Sequence, residues 1–387
     1  MRVLIAGGGT GGHLYPGIAL ARELLRRDPA TEIRFVGTAQ GIESSVVPRE
    51  GFPLDLIRVA GLKGKSRADR WRGFLLLPFA AVDAWRAISR HAPDVVVGVG
   101  GFASGPVLAL ASVRGYPTML LEQNAVPGIT NRLLAPLVRV AAVNFEEALR
   151  YFPRTGFVAG NPVRPEFFQA NDKAGAPGAA AALGWKESNE HDDRPRHAAR
   201  VLIFGGSQGA HAINLAMVEA ASRLAAPGLR LAITHQTGER DLDLVRTAYQ
   251  RAALPARVEA FIFEIDGEMK AADLVVCRAG ATTLAELTAA GRPAILVPLP
   301  TATDDHQRKN AEVLARAGAA IVVEERDLSG ERLAAAISGL VADGEARRRM
   351  AAAARRLARP DAAQRIADRV EQLAARLRSG RGGRSAG

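Results

Sequence analysis

The chain states its own opening twice. Arg2-Val3-Leu4-Ile5-Ala6-Gly7-Gly8-Gly9-Thr10-Gly11-Gly12-His13 is echoed by Arg200-Val201-Leu202-Ile203-Phe204-Gly205-Gly206-Ser207-Gln208-Gly209-Ala210-His211. In each copy an apolar run leads into a glycine loop and then into a helical segment, and each copy opens a half of similar size. A repeat of that kind restricts the fold to two doubly wound α/β domains in tandem, each built on a parallel sheet.

The segments between the copies agree. Short apolar runs at Glu32–Val36, Val95–Val99, Thr118–Leu121 and Val140–Val143 read as strands of the first half. Leu231–Thr234, Leu274–Cys277, Ala294–Val297 and Ala320–Val323 do so in the second. Helical patterns such as Ile18–Arg27, Ala212–Ala225 and Thr283–Ala290 alternate with them, as expected for parallel sheets covered on both faces. The chain has 387 residues, 48% of them apolar, enough for two cores. Asn161-Pro162-Val163-Arg164-Pro165 marks the boundary, because two prolines disfavour helix there. The expected layout is a first domain over 1–162 and a second over 163–345. Helices over 346–378, interrupted at Pro360, pack back on the first domain, and 379–387 form a disordered tail. Asn171 to Ala199 reads as a surface insertion.

Charge and composition narrow the function. The lone cysteine, Cys277, excludes an internal disulfide. Val3 to Ala6 reads as a buried strand rather than a secretory signal. The uncharged stretch Val95–Val113 could span a bilayer by length, but Gly98, Gly100, Gly101, Gly105 and Pro106 break it into strand, loop and helix. Of the net charge of +11, the segment from Ala346 onward supplies +9, from twelve arginines against three acids. It reads as a solvated helix end. There is no zinc spacing, aromatic RNA-binding signature or basic helix-turn-helix, which argues against nucleic acid.

Five loops carry candidate chemistry. Gly7–His13 suits close approach of backbone amides to an anion, with a helix N-terminus behind them. A dinucleotide-binding dehydrogenase would place an acid at the end of the second strand, and Val36-Gly37-Thr38 supplies none. His13 reads either as a general base or ligand, or as a helix-capping residue; His211 reads as a surface residue. Gly100-Gly101-Phe102-Ala103-Ser104-Gly105-Pro106 is a second glycine loop on the same sheet edge, which suggests a phosphorylated partner there or a tight turn. Gly205–Gly209 is the third, with Ser207 and Arg164 as candidate phosphate ligands. Arg278 to Glu286 is the fourth, with Glu286 either accepting ribose hydroxyls or complementing the helix dipole. Asp304-Asp305-His306-Gln307 starts a polar helix suited to a sugar, or to a metal.

GGGTGGHLYPG at 7–17, GGFASGP at 100–106, EQN at 122–124 and GNPVR at 160–164 occur in that order. GGSQGA at 205–210, CRAGATTLAE at 277–286 and DHQRKNA at 305–311 follow. The ordered set, spanning residue 1 to about 325, resembles the MurG family of UDP-N-acetylglucosamine:lipid I N-acetylglucosaminyltransferases of peptidoglycan synthesis. The resemblance implies a GT-B fold, two Rossmann-like domains facing across a cleft, with the final helix returning to the first. It places UDP-GlcNAc mainly on the second domain. Ser207 and Arg164 would face the diphosphate, and Ile262 the uracil through its backbone. Ala281, Thr282, Thr283, Leu284, Ala285 and Glu286 would follow the nucleotide, with Glu286 on the ribose. Gln307 would hold the sugar hydroxyls, and Thr10, Gly11, Gly12 and Asn124 would contact the donor from the first domain. Two departures stand out: Ala279 occupies a usual serine position, and the 171–199 segment is longer than typical.

The implied reaction is an inverting transfer to the C4 hydroxyl of the N-acetylmuramyl sugar of lipid I, giving lipid II and UDP. His13 is the first candidate base and Glu122 the second. No metal and no cofactor is required if the protein supplies the positive field. Lys63, Lys65, Arg67, Arg70 and Arg72 beside Trp71, Phe74, Leu75, Leu76, Leu77, Phe79 and Trp85 suit an anionic membrane surface, which implies a peripheral location on the cytoplasmic face of the cell membrane. Other cell-wall synthesis proteins are conceivable partners. The rivals are another GT-B enzyme, such as a diacylglycerol glycosyltransferase or a UDP-sugar 2-epimerase, and a non-catalytic UDP-sugar-binding scaffold. EQN and GGFASGP favour the lipid I enzyme.

Overall fold

The computed structural model describes residues 1–59, 67–168, 198–206 and 209–382. They form two compact units: Met1–Val163 with Arg359–Gly387, and Arg164–Ala358. The expected insertion at 171–199 lies, but for its last two residues, outside the described residues.

The first unit holds a sheet of seven parallel strands: β1 (Arg2–Gly7), β2 (Glu32–Gly37), β3 (Leu54–Leu56), β4 (Val95–Gly100), β5 (Thr118–Glu122), β6 (Val140–Val143) and β7 (Gly156–Val158). Their order is β3-β2-β1-β4-β5-β6-β7. Successive residues of β1 point to opposite faces, and both faces are dry: Val3 and Ile5 enter one core cluster, Leu4 and Ala6 another. That double burial explains why the central strands read as unbroken apolar runs.

The second unit repeats the plan with β8 (Ala199–Phe204), β9 (Leu231–Gln236), β10 (Ala256–Glu259), β11 (Leu274–Cys277), β12 (Ala294–Leu296) and β13 (Ala320–Val322), ordered β10-β9-β8-β11-β12-β13. Each sheet reverses its winding between its first and fourth strands, β1/β4 and β8/β11. This is the place where doubly wound sheets open a crevice at the strand ends. The repeat extends to single hydrogen bonds. Arg2 N donates to Asp94 at 2.8 Å and Asp94 N to Arg2 O at 2.8 Å. Arg200 N donates to Asp273 at 2.9 Å and Asp273 N to Arg200 O at 2.8 Å. In both sheets an aspartate before the fourth strand satisfies the exposed end of the first.

Three strands that the sequence pattern does not mark, β3, β7 and β10, all lie at sheet edges. They are short and half-exposed, so they carry little apolar signal. The C-terminal helices divide differently from expectation. Gly344–Leu357 stays with the second unit, where Met350 joins the core. The chain breaks at Pro360 and restarts as Ala362–Gly382, past the expected end at 378. This last helix belongs to the first unit. Ile366, Ala367, Val370, Leu373 and Ala374 enter the core under helix Gly11–Arg27. Arg27 bonds Asp368 at 2.7 Å and Glu371 at 3.1 Å.

Ile366 has no exposed surface. Ile366→Ala is therefore expected to lower the stability of the first unit by about 3 kcal/mol, a typical value for a buried large-to-small change. Chemical denaturation followed by circular dichroism checks it.

Candidate active site

In the first unit, the two glycine loops touch. Gly8 N donates to Gly100 O at 3.2 Å, and a Cβ at Gly101 would overlap the Gly8 carbonyl. Gly8, Gly9, Gly100 and Gly101 all have positive φ, between 81° and 139°, conformations other residues rarely adopt. Helix Gly11–Arg27 begins at this junction, earlier than the sequence pattern suggests, with Thr10 as its N-cap and no acid in its first turn.

His13 lies against Gly100, where a Cβ would collide with the imidazole. Its Nδ1 is 3.2 Å from Gln123 Oε1. Gln123 is buried, and its Nε2 donates to Val99 O at 3.0 Å. A carbonyl only accepts, so the carboxamide must present nitrogen to Val99 and oxygen to His13. His13 Nδ1 therefore carries the proton, and the lone pair sits on Nε2. Gln123 lies inside the EQN motif, but its role as the residue that sets the tautomer was not evident from the sequence.

Glu122 does not fit the role of base. It is 2% exposed. Its carboxylate accepts from Asn124 N at 2.9 Å, Asn124 Nδ2 at 3.1 Å and Asn131 Nδ2 at 2.7 Å. Burial pushes its carboxyl above the usual range, opposed by these donors. Glu122 orients Asn124; it has no surface from which to meet an acceptor.

In the second unit, Ser207 lies outside the described residues. The neighbouring Gly206 is held by Gln236, a buried residue the sequence did not single out. Its Nε2 donates to Gly206 O at 2.7 Å, and its Oε1 accepts from Ile262 N at 3.1 Å. One side chain thus ties Gly206 to the Ile262 backbone. Arg164 stacks on the buried Phe167 ring at 5.1 Å and acts electrostatically on Glu286. Glu286 lies on helix Ala281–Ala290, which also carries Thr282, Thr283, Leu284 and Ala285. Burial pushes the Glu286 carboxyl up to about 7. The Arg164 charge pulls it down, and Asp266 adds to the rise. Gln307 Oε1 accepts from Ala279 N at 3.2 Å and Leu299 N at 3.0 Å. A sugar at Gln307 would meet its Nε2, a donor. Asp305 pairs with Arg308. Among the described residues, no group of three or more His, Cys, Asp or Glu is placed to hold a metal ion.

His211 is exposed, as the sequence reading expects, but it is anchored. Its Nδ1 donates to Asp241 at 2.9 Å. Asn214 donates to the same carboxylate at 2.8 Å, and Asn214 Oδ1 lies 3.1 Å from His235 Nε2. His235 Nδ1 lies 2.7 Å from the Tyr249 hydroxyl. Burial pushes His235 down to about 3, so it is neutral. This chain joins the loop-helix junction to the core of the second unit.

Comparison with known proteins now bears on these loops. Residues 3–143 match the glycosyltransferase family 28 N-terminal domain and residues 200–366 its C-terminal domain. The UDP-N-acetylglucosamine--N-acetylmuramyl-(pentapeptide) pyrophosphoryl-undecaprenol N-acetylglucosamine transferase of Anaeromyxobacter dehalogenans (strain 2CP-C) is 48% identical over 97% of this chain and 94% of its own length. The enzyme of that name from Myxococcus xanthus (strain DK1622) is 46% identical over 95% and 92%. The chain belongs to the MurG family. The crystal structure of Acinetobacter baumannii MurG superposes with a TM-score of 0.75 at 28% identity, covering 96% of this chain and 99% of that one. The MurG fold is GT-B, and this chain shares it. UDP-GlcNAc 2-epimerase from Neisseria meningitidis, with a TM-score of 0.65 at 13% identity over 96% of this chain and 100% of its own, shares the fold alone.

The Glu286 carboxyl yields a pH prediction. If it accepts the ribose hydroxyls, as the MurG resemblance implies, binding needs the ionised form. With the folded value at about 7, UDP should bind about tenfold more weakly at pH 6 than at pH 8. Titration calorimetry checks this, and Glu286→Gln should flatten the dependence.

Proposed function

We propose that this chain transfers N-acetylglucosamine from UDP-GlcNAc to the C4 hydroxyl of the N-acetylmuramyl sugar of lipid I, with inversion, yielding lipid II and UDP. The relatives' names state this donor and acceptor. Within the structure, the observation that carries the reading is the electrostatic action of Arg164 on Glu286. A nucleoside diphosphate needs a cation at its phosphates and an acceptor at its ribose. The second unit sets these two groups within electrostatic reach of each other.

The reaction poses two problems. The departing UDP gains negative charge. Arg164, held in place on Phe167, supplies one positive group. Helix His211–Leu224, with no acid in its first turn, supplies a positive end after the Gly205–Gly209 loop. Ser207 adds a hydroxyl in the reading from sequence. Gln307 donates to the sugar, and Ile262 meets the base through its backbone. In the first unit, Thr10, Gly11, Gly12 and Asn124 contact the donor. The attacking hydroxyl must also lose a proton. His13, protonated on Nδ1, takes it on Nε2. No step needs a metal, because the charges developed are met by protein groups.

Two variants test these roles by UDP release from UDP-GlcNAc with a short-chain lipid I analogue. Arg164→Ala should lower kcat about 10²–10³-fold, the size expected when one stabilising donor is lost. His13→Ala should lower it about 10²–10⁴-fold, and an unimpaired His13→Ala enzyme removes His13 as the base.

A lipid-borne acceptor calls for a membrane surface. No helix among the described residues is long and apolar enough to cross a membrane. Helix Arg67–His91 instead exposes Phe79, Val82 and Trp85, three and six residues apart and so on one face. Arg58 lies over the Phe79 ring at 5.0 Å and Arg114 over Trp85 at 4.0 Å. Rings interleaved with guanidinium groups fit an anionic bilayer interface, so the enzyme docks there as a peripheral protein. Lys63 and Lys65 lie outside the described residues. Replacing Phe79 and Trp85 together by serine should weaken binding to anionic vesicles by about tenfold or more. Unchanged co-sedimentation with an intact fold would defeat the docking surface.

A further inference from the structure

One buried charge is absent from both the motifs and the mechanism. Glu43 starts the short helix Glu43–Arg49 and is 1% exposed. Its Oε2 accepts from Gly9 N at 2.6 Å. Its Oε1 accepts from Thr38 N and from Thr38 Oγ1, both at 2.8 Å. A Cβ added at Gly8 or Gly41 would overlap the carboxyl group, and one at Gly37 the Cγ methylene behind it. Three glycines therefore make room for this carboxylate, and three donors compensate its removal from water.

The position is notable because it is where such a loop offers its amides to a phosphate. Here the Gly9 amide holds the protein's own carboxylate and the Gly8 amide holds Gly100 O. Of the Gly7–His13 loop read as suited to an anion, the Gly8 and Gly9 amides are therefore already taken. A buried carboxylate is an expensive way to fill space, and an apolar side chain would pack there without desolvation. What a charge adds is a fixed geometry for flexible backbone. That geometry passes onward by contact, from Glu43 to Gly8 and Gly9, to Gly100 and Gly101, and from Gly100 to the His13 imidazole.

We propose that Glu43 is a positioning residue for the transfer, an internal anion that locks the first glycine loop and through it sets His13. The inference rests on the reading of His13 as the base. Glu43→Gln keeps the size and one acceptor oxygen but turns an NH2 group toward a backbone N–H. Gly41→Ala keeps the charge and pushes the carboxyl out of its seat; Gly41 has an ordinary φ, so the added methyl brings no backbone strain. Both variants should lower kcat on the order of 10²-fold, the effect of a displacement near 1 Å. Both should leave the KM for UDP-GlcNAc within about twofold, since the donor is held mainly by the second unit.

The test is steady-state UDP release by the full chain, with the folded fraction read from denaturation followed by circular dichroism. The double variant His13→Ala/Glu43→Gln should be no slower than about His13→Ala alone, because both changes remove one function. Losses that multiply in the double variant, or that match the fall in folded fraction, overturn the proposal. Normal kcat in Glu43→Gln and Gly41→Ala with a slow His13→Ala overturns it and leaves His13 as the base. Normal kcat in all three overturns both readings.

Discussion

Backbone meets backbone at the switch point of the first sheet, and the candidate chemistry of that unit depends on that contact. The Gly8 carbonyl occupies the space a side chain at Gly101 would need, and the His13 ring occupies the space beside Gly100. No other residue type permits either approach. Glycine loops of this kind are soft by themselves, because glycine loses the most conformational freedom on folding. Something must hold them, and here hydrogen bonds from buried polar side chains do so. Glu43 holds Gly9, Gln123 fixes the imidazole, and in the second unit Gln236 holds Gly206.

The internal repeat shows how one local sequence acquires two functions. His13 and His211 close equivalent loops, yet the helix starts at Gly11 in the first copy and at His211 in the second. Gly209 keeps a positive φ of 75° against the Thr237 carbonyl, which delays the helix. His13 consequently meets a neutral carboxamide, and His211 meets the Asp241 carboxylate. The Asp241 carboxylate anchors its histidine into a chain that ends at the buried Tyr249.

Acids are handled in two distinct ways. Glu43 and Glu122 are almost fully covered and surrounded by donors, so they act on the backbone and on Asn124. Glu286 is only partly covered and has Arg164 within electrostatic reach, with its carboxyl up near 7. Burial with satisfied lone pairs makes a structural carboxylate. Burial with a cation nearby makes one whose ionisation a ligand can shift.

The sequence by itself determined the two parallel sheets, the tandem plan and the family. Strand periodicity and the ordered glycine motifs are local properties, written in consecutive residues. It also named Arg164 and Glu286, because each follows a recognisable turn. It left unmarked the edge strands β3, β7 and β10, whose half-exposed residues lack an apolar pattern. It also left unmarked Glu43, Gln123 as tautomer-setter, Gln236 and Asp241. Those side chains bond to residues 24 to 110 positions away in sequence, apart from the nearer bonds of Glu43 to Thr38. Tertiary structure decided which carboxylate was buried and which reached a neighbour's charge, because burial and distance are properties of the packed chain. For the same reason it took Glu122 away from the acceptor and gave the last helix, but not the one before it, to the first unit.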